Sequence, residues 1–491
     1  MKTASASKTP SPDKIPLYEK LVYGAADLFG GGHNTILSVI LLYFFTDILG
    51  INPALAGTII LVSKFWDAII DPVLGSVSDN TRSKFGRRKP YILTGAILII
   101  PAYALLFAPI SNVSPDSLKA GFAAASYIFY CTAASLSQVP FMSMSGDISP
   151  DFKERNSANL VKLVFDMAAA AVCYLAPTAL VDLLNDGAIS VQTFYFSIVF
   201  GFGLVFSIPL AVSAFVLKER VPAPKARSKF DVKEWFAAFR VKSYRYHIFM
   251  YITAFLCIDI VSALALYYVN DVLRGVTVFG RQIGSIYVIA PMMTAAAAAV
   301  PFCYRLMKKK SKQFAYRVGL PLYALGAVLL ALFDVSAMNG IFVPLFALIA
   351  GLGLGGAQMM PWLIFPDTVD VAELKLGCRP TGAFSGAMTF ARTLVSAVAI
   401  QAVGLVLFAA GYKESPAKAV VQEPSVLLAI RLLLGISVVV LLSLAFAASM
   451  KYKVTDKKLA RVRLFNEKNR GGISLTAEEQ AEKEALLKEL A

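Results

Sequence analysis

Apolar residues recur along the chain in runs of about 20 or more, divided by short polar, glycine- or proline-containing turns. A hydrocarbon core about 30 Å thick needs roughly 20 apolar residues per helical crossing, so each run predicts a membrane-spanning helix. Twelve spans follow, at roughly 20–49, 55–78, 90–111, 120–146, 158–182, 191–217, 246–271, 281–304, 315–335, 340–366, 380–411 and 424–449. The expected fold class is all-α: a polytopic membrane protein of about 12 transmembrane helices in two six-helix bundles. Gly30, Gly31 and Gly32 break the first run and predict a kink there.

The polar positions between the runs set the topology. Arg82, Lys84, Arg87, Arg88 and Lys89 crowd the connection between spans 2 and 3, and Arg305, Lys308, Lys309, Lys310, Lys312 and Arg317 crowd that between spans 8 and 9. The turns "GINPAL" and "SAMNG" carry no Lys or Arg. Lys/Arg-rich loops stay in the cytoplasm, which places both termini there, in the cytoplasmic membrane. A basic, proline-containing stretch at 218–245 divides the spans six and six, and each half has a basic loop after its second span. The expected organisation is a cytoplasmic tail (1–18), a first bundle (19–217), a central loop (218–245), a second bundle (246–450) and a cytoplasmic tail (451–491). The last tail contains "SLTAEEQAEKEALLKEL", which reads as a capped amphipathic helix on a solvated appendage. Residues 1–18 are polar and predict no cleavable leader.

Composition agrees with this reading and narrows it. The chain of 491 residues is 57% hydrophobic and only 16% charged, too little polar surface for a water-soluble domain. Its net charge of +15 lies in the loops, where anionic membrane lipid rather than nucleic acid is the expected partner. Five cysteines without CxxC spacing read as apolar filler. No HExxH, GxSxG or Walker pattern points to an enzyme or to ATP-driven transport, and a monomer is expected because the chain supplies its own pseudo-repeat.

Charges inside the spans carry the functional information. An Asp, Lys or Arg at mid-membrane costs about 2.5–3.5 kcal/mol on insertion scales, so such residues line polar pathways or pair with one another. Asp27, Lys64, Asp67, Asp71, Lys162, Asp166, Asp259 and Arg392 all fall within spans. Asp67 and Asp71 share one helix face, and two desolvated carboxylates cannot both stay charged alone. Either a small cation binds them, or one takes a proton, or Lys64 neutralises them as a salt bridge. Pro72, directly after the pair, predicts a kink. Asp27 near the glycines is a substrate contact or a partner for a buried lysine. Lys162 and Asp166 pair with each other or line a cavity. Arg392 finds no counter-charge in its own span, Asp259 lines a cavity or contacts another helix, and His33 is a proton relay or a satisfied polar contact.

Three stretches resemble the glycoside–pentoside–hexuronide:cation symporters, the melibiose-carrier-like branch of the major facilitator superfamily: "YGAADLFGGGHNTILSVILLYFFTDILG", "DAIIDPVLGSVSDNTRSKFGRRKP" and "PDTVDVAELKLGCRPTGAFSGAMTFART". The resemblance runs from about residue 18 to 450 and leaves out the tail. It implies secondary active transport by alternating access, with no cofactor beyond a coupling Na⁺ or H⁺. Asp67 and Asp71 would form the cation site, including any Na⁺ site. Asp27, Gln138, Met142, Lys162, Asp166, Trp362 and Arg392 would contact substrate. Gly75, Asp79, Arg87, Arg88, Asp367 and Asp370 would form the conformational gate. Gln138 stands where the family has an aspartate, Met142 where melibiose carriers have an aromatic platform, Lys162 for an arginine and Arg392 for a lysine. The expected substrate is a sugar, glycoside or hexuronide; the alternative is a lysolipid or another non-sugar organic solute on the same fold.

Overall fold

The protein is seen in a computed structural model that describes residues 14–491, except 150, 221–237, 279, 335–338, 378–380, 415–419 and 472. Most of the central loop expected at 218–245, most of the N-terminal tail, and Cys378 lie outside the described residues.

Helices occupy all twelve predicted positions. Eleven are long and apolar enough to cross a membrane: Leu17–Ile48 (span 1), Pro53–Asn80 (span 2), Lys89–Leu106 (span 3), Lys153–Asn185 (span 5), Val191–Val216 (span 6), Lys242–Val272 (span 7), Ile286–Lys309 (span 8), Lys312–Ala331 (span 9), Phe342–Leu376 (span 10), Phe384–Ala409 (span 11) and Pro424–Lys451 (span 12). Span 4 is the helix Asp116–Asp147, which carries the polar residues Ser126, Ser135, Ser137 and Gln138 along its length. Among the described residues the fold is all-α apart from a short hairpin pairing Thr277–Val278 with Arg281–Gln282. That hairpin moves the start of span 8 from the expected residue 281 to Ile286.

Two expected distortions come out differently. The helix of span 1 breaks at Asp27 rather than at the glycine triplet, which stays helical within Leu28–Tyr43. The Asp27 backbone (φ −81°, ψ 0°) donates to the Gly24 carbonyl at 2.9 Å, a tighter turn than the α-helix allows. Span 2 runs unbroken through Pro72. π-Helical segments occur at Phe44–Ile48, Ser197–Phe202, Tyr268–Val272 and Leu433–Ser437. They fall in the first and sixth helix of each half, so the repeat suggested by the basic loops extends to helix geometry.

The chain divides into two compact units, residues 1–37 with 66–230, and residues 38–65 with 231–491. The sequence division differs in one respect: residues 38–65 group with the second unit. Water-free interiors need interhelical polar contacts to be satisfied within the protein. In the first unit Ser207 Oγ donates to the Ala96 carbonyl at 2.6 Å. In the second, the hydroxyls of Tyr244, Tyr268 and Tyr316 donate to the carbonyls of Phe384, Leu330 and Met250 at 2.8, 2.7 and 2.9 Å.

The C-terminal tail corrects the sequence reading most. Beyond span 12 it forms two helices, Asp456–Arg470 and Ala477–Leu490. The second carries the expected capping box, in which Thr476 and Glu479 satisfy each other's backbone N–H groups. Neither is a solvated appendage. Leu459, Val462 and Phe465 of the first are buried, and the second packs back on it through Arg461–Glu482, Lys468–Glu479 and Lys458–Glu489 ion pairs. The backbone N–H of Lys242 and the Lys375 amine both reach Ala491 O, at 3.1 and 2.7 Å.

Candidate functional site

The first unit gathers most of the intramembrane charges. Asp27 is 3% exposed, and its Oδ1 lies 3.6 Å from the Lys162 Nζ. Lys162 thus pairs across helices with Asp27, and Asp166, one turn along span 5, shares its positive field. The Lys162 ammonium also donates to Met142 Sδ at 2.9 Å and lies 5.6 Å from the centre of the Phe141 ring.

Glycine makes this crowding possible. A Cβ on Gly30 would stand 2.4 Å from Asp27 Oδ1 and 3.0 Å from Gln138 Nε2. A Cβ on Gly31 would meet the Asp166 carbonyl oxygen at 2.2 Å, inside any real contact distance. Two bare backbones in succession therefore let span 1 close on span 5 and admit the Asp27 and Gln138 side chains. Asp27 Oδ1 and Gln138 Oε1 are both buried with no hydrogen-bond donor from the protein. Buried acceptors left without donors cost about 1–3 kcal/mol each. They fit a ligand that brings hydroxyl or N–H donors.

The Asp67/Asp71 pair is half-buried on span 2, with Asp67 Oδ1 accepting from Ser135 Oγ on span 4 at 3.1 Å. Next to it, Trp66 Nε1 donates to Thr132 Oγ1 at 2.9 Å. Ser135 was not anticipated from sequence, although its position one turn before Gln138 on the polar stripe of span 4 signalled it. Among the described residues no group of three or more His, Cys, Asp or Glu side chains gathers as a metal cluster.

The second unit holds a separate set. Arg392 on span 11 donates to Asp259 Oδ1 on span 7 at 3.2 Å, which supplies the counter-charge its own helix lacks. Its guanidinium carbon stands 4.7 Å from the centre of the Phe255 ring. Tyr251 lies edge-on to Trp362 at 5.4 Å, and Trp362 is 48% exposed. Trp362 is the exposed aromatic of this set, while Tyr251 and Phe255 are buried. The signal for the last two was the spacing of four residues between Tyr251, Phe255 and Asp259 on one helix face.

The expected gate residues fall into two groups. In the first unit Arg88 holds Asp79 through Nε and Nη2 at 3.2 and 2.7 Å, while Arg87 lies 3.5 Å from Glu219, just past span 6. Gly75 faces Val139 with room for a Cβ at 3.5 Å, so packing does not demand glycine there. In the second, Asp367 and Asp370 belong to an acidic ladder that ends at Glu373. Lys312 and Arg463 hold Asp367 at 2.6 and 3.2 Å, Arg463 also holds Asp370 at 2.8 Å, and Arg470 grips Glu373 with two bonds of 2.6 Å. His33 is a satisfied contact, its Nδ1 2.6 Å from the Phe29 carbonyl oxygen.

Twelve helices, eleven of them long and apolar enough to cross a membrane, define an integral membrane protein. Its fold is shared with the nucleoside transporter NupG, which superposes with a TM-score of 0.62 over 88% of this chain and 99% of that one, at 13% identity. Residues 22–456 match the family described as MFS/sugar transport protein, and the chain belongs to that family. Among its relatives, the uncharacterized symporter YnaJ of Bacillus subtilis is 28% identical over 91% of this chain and 93% of its own. The glucuronide carrier protein homolog of Escherichia coli is 23% identical over 90% and 93%. The isoprimeverose transporter of Lactiplantibacillus pentosus is 22% identical over 81% of each chain.

Proposed function

We propose that the protein is a cation-coupled symporter that carries a sugar, glycoside or hexuronide through the cytoplasmic membrane by alternating access, as a monomer with both termini in the cytoplasm. The observation that carries this reading is the pair of buried, donor-less acceptors Asp27 Oδ1 and Gln138 Oε1 beside the Lys162 ammonium. Ring hydroxyls satisfy such acceptors, and a uronic acid carboxylate would answer the lysine. Relatives named for glucuronide and isoprimeverose support the same solute class.

Asp67 and Asp71 are the coupling site, taking Na⁺ or H⁺. With the cation between them, their mutual repulsion is relieved and the helix can present Ser135 and the rest of the cluster to substrate. On span 11, Arg392 holds its charge against Asp259, and Trp362 offers an indole face to a sugar ring. Arg87, Arg88, Asp79, Asp367 and Asp370 act as the gate that is remade in each cycle.

Proteoliposome uptake of a panel of glycosides, uronides and a lysolipid, with and without a sodium gradient and at two pH values, tests the proposal. Gradient-driven accumulation of a glycoside or uronide supports it; accumulation of the lysolipid alone refutes the sugar assignment. Asp67→Asn and Asp71→Asn should each abolish accumulation while leaving substrate binding measurable. Full concentrative uptake by both variants would remove these residues from the coupling site.

A further inference from the structure

Arg431 stands apart from every charge discussed so far. It lies in span 12, about two turns in from Pro424, and faces a groove of about 360 Å³ between spans 9 and 12. The walls are otherwise apolar, including Val328, Leu332, Leu428, Leu432 and Ile436. No carboxylate among the described residues pairs with Arg431, and its Nε is buried with no hydrogen-bond acceptor. Its charge reaches Tyr268 of span 7, but that hydroxyl is committed to the Leu330 carbonyl at 2.7 Å. An arginine at this depth without a counter-charge is costly unless it meets an anion.

The groove runs from Arg431 toward the bilayer centre. Leu428, Leu432, Ile436 and Val440 follow one another at intervals of four, on one helix face, and are 45–57% exposed. Gly435 lets span 9 come close, since a Cβ there would stand 2.9 Å from the Ala331 Cβ. The result is a cationic head above an apolar track.

We infer that this groove binds one anionic phospholipid, its phosphate on the Arg431 guanidinium and one acyl chain laid along Leu432, Ile436 and Val440. Charge and shape both select that occupant. The guanidinium matches a phosphate in forked geometry, the stripe extends about 13 Å beyond it to Val440, and the surface lies against membrane. A zwitterionic lipid brings its own ammonium and answers the arginine less well. The site lies wholly within the second unit and involves none of the proposed substrate or cation residues.

Native mass spectrometry of the purified full chain, titrated with phosphatidylglycerol or phosphatidylcholine of identical acyl chains, tests the inference. The wild type should retain one phosphatidylglycerol about tenfold more tightly than phosphatidylcholine, a difference in line with one charge-assisted contact. Arg431→Gln should erase that preference and Arg431→Lys should keep part of it. Ile436→Trp, which leaves the arginine and fills the track, should weaken phosphatidylglycerol itself. Equal affinity for the two lipids in the wild type, or an undiminished preference in Arg431→Gln, would overturn the site. Displacement of the lipid by millimolar inorganic phosphate would reduce it to an ion site and overturn the lipid assignment.

Discussion

Arg463 spans two rungs of the acidic ladder on span 10, donating from Nε to Asp370 at 2.8 Å and from Nη2 to Asp367 at 3.2 Å. Arg463 lies in the tail, outside the family match, whereas both aspartates lie within it. A segment outside the family match therefore holds two residues assigned to the gate, and Asn466 adds a bond to the Asp370 carbonyl at 2.8 Å.

Removing that clamp should free the tail. The arginine is 53% exposed, so solvent screening holds its contribution to about 1 kcal/mol or less. Arg463→Gln should then raise amide exchange in residues 456–470 by roughly fivefold, read by hydrogen–deuterium exchange. Unchanged exchange would show that Leu459, Val462 and Phe465 suffice to hold the helix.

Acid should undock the last helix. Hydrogen bonds from Lys468, Arg461 and Lys458 hold the carboxyls of Glu479, Glu482 and Glu489 below the ordinary glutamate range. A depressed carboxyl lends stability above its unfolded value, and that stability is lost as pH falls through the folded one. Protection of residues 477–490 should therefore be intact at neutral pH and disappear below about pH 4. Exchange that is flat down to pH 3 would contradict the ion-pair account.

Asp27 and Gln138 should separate binding from coupling. Gln138→Leu removes one buried acceptor and should weaken binding of a transported glycoside about tenfold. Asp27→Asn strips Lys162 of its partner and should cost more, in both affinity and transport rate. Equilibrium binding to purified protein, set beside uptake, reads both effects.

Gly31→Ala places a methyl within 2.2 Å of the Asp166 carbonyl. Overpacking of this kind costs about 1–3 kcal/mol, and span 5 must shift and carry Lys162 and Asp166 with it. Thermal stability should fall, with substrate affinity falling in step. A variant as stable as the wild type and with normal affinity would show that the spans 1–5 contact is soft.

Much of this was readable from residues alone. The twelve apolar runs announced the spans because the bilayer fixes how long a crossing must be, and the lone Arg392 announced a partner on another helix. The helix break was misplaced because glycine tolerates a kink without requiring one; the helix is interrupted at Asp27 instead. The tail helix at 456–470 went unseen. Its charged sequence reads as a solvated segment, and only the three-dimensional ladder of Asp367, Asp370 and Glu373 explains why its arginines dock. Ser135, Tyr251 and Phe255 were missed for a similar reason: each acquires meaning from neighbours on other helices.

The interruption at Asp27 puts a buried carboxylate in the tightened turn that joins Leu17–Ala26 to Leu28–Tyr43, so a change in how that side chain is held is registered at the junction of two helices rather than inside either of them.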